Sequence, residues 1–379
     1  QILETLGFAI DDKKPEAWNV QPPSWRADVE GRADVVEEIV RVAGYDSIPP
    51  LSMKKPTAVT QNAETPSLTI ARKARTALAG RGLNESVTWS FMPHALAEKF
   101  GGNDNQNAAA LRLVNPISAD LDQMRPSLLP NLIQAAGRNE ARGFADVALF
   151  EVGPAFTAPK TNGQRLVAAC VRHGRQGPRH WSGAEASRTV DTFDAKADAL
   201  AVLESCGAPA SRLQVTRDAP GWYHPGRSGA LRLGPNVMAY FGEIHPALLE
   251  EMGIKNAVAA AEIFLDTIPV AKKAPGTARS LLKLSAFQPV VRDFAFVVDR
   301  GVEAAALIRA AQDADKIMID RVEVFDIYEG KGIEDGKKSV AINVVLQPYE
   351  QTLTDADIES LCKKIINSVT AKTGGQLRG

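Results

Sequence analysis

The stretch GKGIEDGKKSVAINVV, residues 330–345, decides how the C-terminal part of the chain folds. Its glycines and Lys-Lys-Ser suggest a phosphate-binding loop. That loop needs four residues between its glycines, then one Lys followed directly by Ser or Thr, at the start of a helix. Here three residues separate Gly332 from Gly336, two lysines precede Ser339, and apolar residues then alternate onto one side as in a strand. The stretch therefore predicts the turn of a β-hairpin and its second strand.

The segments around this hairpin predict a ferredoxin-like domain over residues 284–379. Their order is strand, helix, strand, strand, helix, strand, which is the split βαβ arrangement. The strands are predicted at 292–298, 320–328, 339–346 and, as a short final strand, within 374–379, and the helices at 302–314 and 355–369. Thr354 and Asp357 are spaced to cap the second helix. Both helices of this fold lie on one face of the sheet, so the other face is left for a partner.

Two further segments precede this domain, so the fold class predicted is α+β with several domains. Residues 1–52 contain a short helix, a strand and an acidic helix over 33–43, which Gly44 ends. Residues 53–280 begin with a linker and then predict a mostly antiparallel sheet with flanking helices. Its predicted strands include ESVTWSF (85–91) and ALRLV (110–114).

Composition describes an ordinary globular chain and excludes several classes of protein. The 379 residues are 45% hydrophobic, and the formal net charge of −1 gives no global argument for nucleic acid, so DNA is not expected as a partner. No apolar run reaches membrane-spanning length, and no membrane partner is expected. The three cysteines form no CxxC pair, which favours a reducing cytoplasm. The chain opens without Met inside a helical pattern, which predicts a piece of a longer protein.

Four carboxylates near the acidic helix form the first candidate site. Asp34, Glu37 and Glu38 fall at helical spacing on one face, and Asp28 lies in the preceding turn. A hard divalent cation such as Mg²⁺ relieves the repulsion among such carboxylates. An alternative is a solvated acidic first turn in which Asp34 and Glu37 form a capping box and interact favourably with the helix dipole. Spacing alone favours this alternative.

Four basic residues form the second candidate site. Arg292, Lys337, Lys338 and Arg378 are predicted to cluster at one end of the terminal sheet and to contact RNA phosphates. The residues from 285 onwards include twelve Lys and Arg against fifteen Asp and Glu, a net charge of −3. Solvated basic residues on loops therefore remain an equal alternative.

The sequence as a whole resembles the C-terminal half of the β chain of bacterial phenylalanyl-tRNA synthetases. The pattern PxWRxDxxxxxDxVEExxRxxGYDxIP of that family stands here as residues 23–49. The resemblance implies that Asp28, Asp34, Glu37 and Glu38 are magnesium ligands in a small metal-linked domain. It also implies that the ion lies in a site shared with the α chain.

The middle segment resembles the synthetase-like core of the same family through LVNPISADLDQMRPSLLPNL, HPGRSGALRLG and YFGEIHP. The resemblance implies a class II aminoacyl-tRNA synthetase sheet. Such a sheet becomes active with a Gly-rich segment and a terminal arginine that hold the nucleotide. Where that element is expected, AAAEIFLDTIP (259–269) offers neither a glycine pair nor an arginine. The core is therefore predicted to be non-catalytic. It is expected to contain no catalytic residue and to bind no ATP.

The last segment resembles the ferredoxin-fold anticodon-binding module of the family through VVRDFAFVV, VFDIYEGKGIEDGKKS and QLRG. The resemblance implies docking of tRNA(Phe) and assembly with α chains, two copies of each. The whole enzyme would use ATP to attach phenylalanine to tRNA. The upstream editing modules of the family are absent here, so no editing is assigned. The competing hypothesis is a free-standing RNA-binding or scaffold protein that reuses the same modules.

Overall fold

A computed structural model describes residues 1–11, 14, 16–53, 63–101, 110–177, 181, 188–269, 281–282 and 284–378. The chain divides into two compact units, residues 1–270 and 271–379. Most of the predicted linker and the predicted end of the core at residue 280 lie outside the described residues. No helix in the described ranges is both long and apolar enough to cross a membrane.

The helices and strands of the described residues are numbered here in chain order. The helices are α1 Ile2–Thr5, α2 Arg32–Ala43, α3 Pro66–Gly80, α4 His94–Phe100, α5 Leu129–Ala141, α6 Thr192–Ser205, α7 Pro246–Glu251, α8 Ala304–Gln312 and α9 Asp355–Thr373. The strands are β1 Ala9–Asp11, β2 Asn19–Gln21, β3 Asn84–Glu85, β4 Phe91–Met92, β5 Gln123–Met124, β6 Val147–Phe156, β7 Gln164–His173, β8 Gln214–Thr216, β9 Tyr223–Leu233, β10 Asn236–Ile244, β11 Val258–Phe264, β12 Val290–Asp299, β13 Ile319–Tyr328, β14 Lys337–Leu346 and β15 Gln376–Leu377.

The start of the first unit is a small layer of α1, α2 and the antiparallel pair β1–β2. Leu3, Phe8 and Val29 form its buried core. Helix α2 ends at Gly44, whose φ of +98° is a conformation that side chains with a Cβ rarely adopt. The acidic helix is therefore held by a short apolar core and by a defined stop, as the sequence predicts.

The centre of the first unit is a seven-stranded sheet in the order β3-β6-β7-β11-β10-β9-β8. Every neighbouring pair is antiparallel except β3 and β6, which are parallel. Alternate side chains of each strand point to opposite faces and pack into two separate cores, so the sheet is buried on both faces. Helices α3 and α6 supply one core, and α4, α5 and α7 supply the other. The predicted sheet with flanking helices is confirmed.

The second unit is a four-stranded antiparallel sheet in the order β13-β14-β12-β15, with α8 and α9 on one face. Val340, Ile342 and Val344 of β14 point into the core with apolar residues of both helices. Thr354 accepts a hydrogen bond from the Asp357 backbone, and the Asp357 carboxylate accepts one from Thr354 in return. The predicted order of elements and the predicted cap are therefore present.

Two predicted strands do not form over their predicted lengths, although Glu85 and Phe91 at the ends of the first do lie in β3 and β4. Residues 86–90 form no ladder between β3 and β4, and residues 110–114 contribute only a bridge from Arg112 to Gln123. Side chains bind the middle of the first segment, whereas Ser86 and Ser90 keep backbone hydrogen bonds to Phe150 and Arg125. The Thr88 backbone donates to Glu151, and the Trp89 carbonyl accepts from Asn131. These hydrogen bonds satisfy backbone groups that a strand would pair with a neighbouring chain segment.

Candidate functional site

The acidic helix places its predicted ligands in three different environments. Asp34 is the third residue of α2, and its carboxylate accepts hydrogen bonds from the backbone amides of Glu30 (3.0 Å) and Gly31 (2.8 Å). Glu37 is exposed, whereas Glu38 is buried at 6% exposure. Asp34 thus caps the helix together with Gly31, and the predicted capping box of Asp34 with Glu37 is wrong.

Arginine side chains bind the carboxylates of Asp28 and Glu38. Arg26 donates to Asp28 at 2.7 Å and to Glu38 at 2.8 Å, and Arg41 donates to the second oxygen of Glu38 at 2.7 Å. The hydrogen bond from Arg26 lowers the pKa of Asp28 to about 2. The hydrogen bonds from Arg26 and then Arg41 lower the pKa of Glu38 to about 2. Arg26 therefore supplies the positive charge that the carboxylates of this turn need.

This arrangement does not fit a magnesium ion as it stands. Within the described ranges, no three His, Cys, Asp or Glu side chains are grouped so that they could hold a metal. Asp34 is engaged by the backbone, and the Arg26 guanidinium lies between Asp28 and Glu38. Mg²⁺ is bound by oxygen ligands, usually one or two carboxylates with water, and here the carboxylates of Asp28 and Glu38 bind a guanidinium instead. The four-residue ligand set therefore stays a prediction.

The sheet face of the second unit that α8 and α9 leave uncovered, here called the open face, carries an aromatic and a basic residue side by side. Tyr328 pairs with Ser339, and Ser339 pairs with Val297, which makes one row across three strands. Arg378 donates its backbone amide to Ala295, and its guanidinium lies over the Tyr328 ring, 5.7 Å from the centroid. Ala295, Ser339 and Ala341 on the two central strands have small side chains, which leave room for the arginine to lie across this face.

The structure does not bring the four predicted RNA-contacting residues together. Lys337 pairs with Asp299 and lies near the hairpin turn, where Glu334 binds its ammonium at 2.7 Å. Lys338 of β14 pairs with Val298 of β12. Val298 is six residues from Arg292 on β12, so Lys338 and Arg292 are separated by about 20 Å along the sheet. Arg292 pairs with Val344, whose side chain lies in the core beneath the helices, so Arg292 belongs to the helix-covered side. Of the four, Lys337 and Arg378 occupy positions of the open face.

The first unit also buries ion pairs that the sequence did not reveal. Arg125 donates to Glu151 at 2.8 Å and to the Pro154 carbonyl at 2.8 Å, and both charged side chains are almost fully buried. Asp198, with no exposed area, pairs with Arg172 at 2.6 Å. Their partners are at least 26 residues away in sequence, so no local spacing signals them.

Comparison with known families accounts for nearly all of the chain. A model described as "Phenylalanyl tRNA synthetase beta chain CLM domain" matches residues 51–265, more than half of the chain.

The chain belongs to this beta-chain family.

Two further family models match the segments of this beta chain on either side of residues 51–265. "tRNA synthetase B5 domain" matches residues 1–45, and "Ferredoxin-fold anticodon binding domain" matches residues 285–378. The ferredoxin-like domain predicted from the hairpin is thereby confirmed, as is the resemblance to the synthetase β chain.

Curated relatives of this beta-chain sequence carry the name phenylalanine–tRNA ligase beta subunit. The relative from Paramagnetospirillum magneticum is 51% identical over 378 residues, which is 100% of this chain and 46% of that protein. Those from Rhodospirillum rubrum and Bradyrhizobium diazoefficiens are 49% and 50% identical. The alignments cover 99% and 100% of this chain and 46% and 47% of those proteins. The chain thus spans about half the length of these relatives.

Among solved structures, a pyrrolysyl tRNA synthetase from Desulfitobacterium hafniense matches 53% of this chain and 66% of its own. That match has a TM-score of 0.41 at 16% identity.

Proposed function

We propose that this chain is the C-terminal part of a phenylalanine–tRNA ligase β subunit, which supports an α chain without catalysing the reaction itself. The observation that carries this proposal is the order of family matches, which follow one another along the chain from residue 1 to 378. About half of all positions are identical in relatives that carry that name. A free-standing RNA-binding or scaffold protein would not need all three modules in this order.

In this proposal the whole enzyme is cytoplasmic, contains two α and two β chains, and uses ATP and Mg²⁺ to join phenylalanine to tRNA(Phe). The seven-stranded sheet would be a class II synthetase-like core in which β11 lacks the nucleotide-binding arginine. Its sequence VAAAEIF is buried throughout and carries one charged residue, Glu262. The contribution of this chain is positioning, which lowers the entropic part of a reaction barrier. Asp28, Asp34, Glu37 and Glu38 stay a predicted ligand set, since Arg26 holds two of them here.

The open face of the second unit is the surface proposed to dock the anticodon region of tRNA. Arg378 and Tyr328 present a guanidinium plane and a ring, both of which stack on unpaired bases. This kind of contact works by shape and stacking, so it tolerates the net charge of −3 of the domain. Arg292, Lys337 and Lys338 stay predicted phosphate contacts.

The docking proposal is tested by aminoacylation kinetics with the cognate α chain. Loss of a stacked base contact costs about 1–3 kcal/mol. Arg378→Ala and Tyr328→Ala should therefore each raise the KM for tRNA by about tenfold. The kcat and the KM for phenylalanine should stay unchanged. Arg309→Ala, at an exposed position on α8, is the control and should leave all three constants as they were. Unchanged KM for tRNA in both open-face variants would refute this docking surface.

A further inference from the structure

The first unit contains a cavity of about 230 Å³ between α4 and the sheet. Aromatic side chains form much of its wall. Phe100 and Trp222 lie 5.8 Å apart between ring centroids, and Tyr240 meets Phe264 edge-on at 5.5 Å. An apolar cavity of about 150 Å³ is large enough for benzene. This cavity therefore has room for one ring and a few further atoms.

One carboxylate lines this aromatic cavity. Glu262 of β11 is only 3% exposed, and the other residues of its strand are all apolar. The neutral hydroxyl of Ser127 donates a hydrogen bond to its Oε1 at 2.7 Å. A buried carboxylate that has no cation beside it is strongly disfavoured in its charged form.

The cationic neighbour in the wall already has partners of its own. Arg165 lies over the Phe264 ring at 4.2 Å and pairs with Asp266 at 3.4 Å. The other titratable groups that face Glu262 are Tyr223 and Tyr240, whose pKa values burial raises, so both stay neutral. Among the described residues, the wall thus offers one acid with neutral hydrogen-bond donors, a set of ring faces, and one guanidinium that Phe264 and Asp266 already engage.

We propose that this cavity binds a small organic ammonium ion, with its charged nitrogen against Glu262 and an apolar ring or branched body among Phe100, Trp222, Tyr240 and Phe264. The chemistry of the wall selects this class. The carboxylate provides the counter-charge, and the negative faces of aromatic rings attract a cation as well. The volume limits the ligand to about the size of a substituted benzene. This site is separate from the acidic helix and the open face, so it does not rest on the proposed ligase role.

Protonation of Glu262 gives the site a pH dependence. Burial raises the pKa of Glu262 to about 7, and Ser127, the Leu128 amide and Arg165 oppose the rise. An ammonium ion binds the ionised carboxylate, so binding should tighten as the pH rises through that value. The ionised fraction increases about tenfold between pH 6 and pH 8, and the affinity should follow it.

The test is calorimetric titration of the 379-residue chain with benzylamine at pH 6 and pH 8, with benzyl alcohol as the neutral probe of the same size. We expect benzylamine to bind about tenfold tighter at pH 8 than at pH 6, and at least tenfold tighter than benzyl alcohol at pH 8. Glu262→Gln should remove this preference. Glu250→Gln, an exposed position outside the cavity, should retain it.

A second variant separates binding in the cavity from binding elsewhere. Ala97→Met adds a flexible side chain to the cavity wall and should abolish benzylamine binding while Glu262 stays in place. Absence of benzylamine binding at pH 8 would overturn the proposal. So would equal affinity for the alcohol, or binding that survives both Glu262→Gln and Ala97→Met. Circular dichroism of each variant confirms that the fold persists, so that lost binding reflects the cavity.

Discussion

The replacement Glu262→Gln should change how the stability of the first unit depends on pH. Burial raises the pKa of Glu262 from 4.5 to about 7 in the folded chain. Between these values the unfolded chain has released the proton that the folded chain still holds, so stability falls as the pH rises. Each pH unit costs about 1.4 kcal/mol, and about 3 kcal/mol accumulates by pH 8. Glutamine keeps the acceptor for Ser127 but does not titrate.

Urea unfolding followed by tryptophan fluorescence measures this difference. All five tryptophans lie before residue 270, so the signal reports on the first unit. The variant should lose about 3 kcal/mol less than the wild type between pH 4.5 and pH 8. Glu250→Gln, at an exposed position, should follow the wild type. Parallel curves for Glu262→Gln and wild type would refute the assignment of a buried, late-titrating acid at this position.

Three further substitutions test other parts of the fold. Arg26→Met should lower the urea midpoint of the first unit, because buried Glu38 loses one of its two arginine partners. Gly242→Ala should cost about 3 kcal/mol by the same fluorescence assay, since its φ is +150° and a backbone oxygen of β9 would lie 2.6 Å from the new methyl group. Gly221→Ala, where the methyl group meets nothing within 4 Å, is its control. Thr354→Ala should cost about 1 kcal/mol and speed hydrogen exchange in the first turn of α9 about fivefold.

The fold of the second unit follows from local patterns. Alternating apolar residues in β14 define the sheet face that meets the helices, and the spacing of Thr354 to Asp357 defines where α9 begins. Each of these signals lies within a short stretch of consecutive residues, so it can be read from the sequence directly. The order of the elements then leaves few topologies to consider.

The features that the sequence did not predict depend on contacts between distant residues. Ser127 and Glu262 are 135 residues apart, and the backbone of Thr88 finds its acceptor in Glu151, 63 residues on. Residues 85–91 predict a strand, and nothing local shows that side chains will bind the middle of that backbone. Such contacts appear only when the sheet is assembled.

The acidic helix shows a different reason for an incomplete prediction. The spacing of Asp34, Glu37 and Glu38 predicts repulsion only when the arginine in the same motif is left out. Arg26 is two residues from Asp28 and twelve from Glu38, and it binds both. The signal was present in the sequence, but its meaning depends on the turn that folds Arg26 back onto α2.

The central claim is that this chain supports a synthetase without activating the amino acid itself. The most direct test is phenylalanine-dependent exchange of pyrophosphate into ATP, in the presence of Mg²⁺, by this chain, by the cognate α chain and by their mixture. The account predicts exchange in the mixture and none by this chain alone. Exchange by this chain alone would contradict the account, and none in the mixture would favour the RNA-binding alternative.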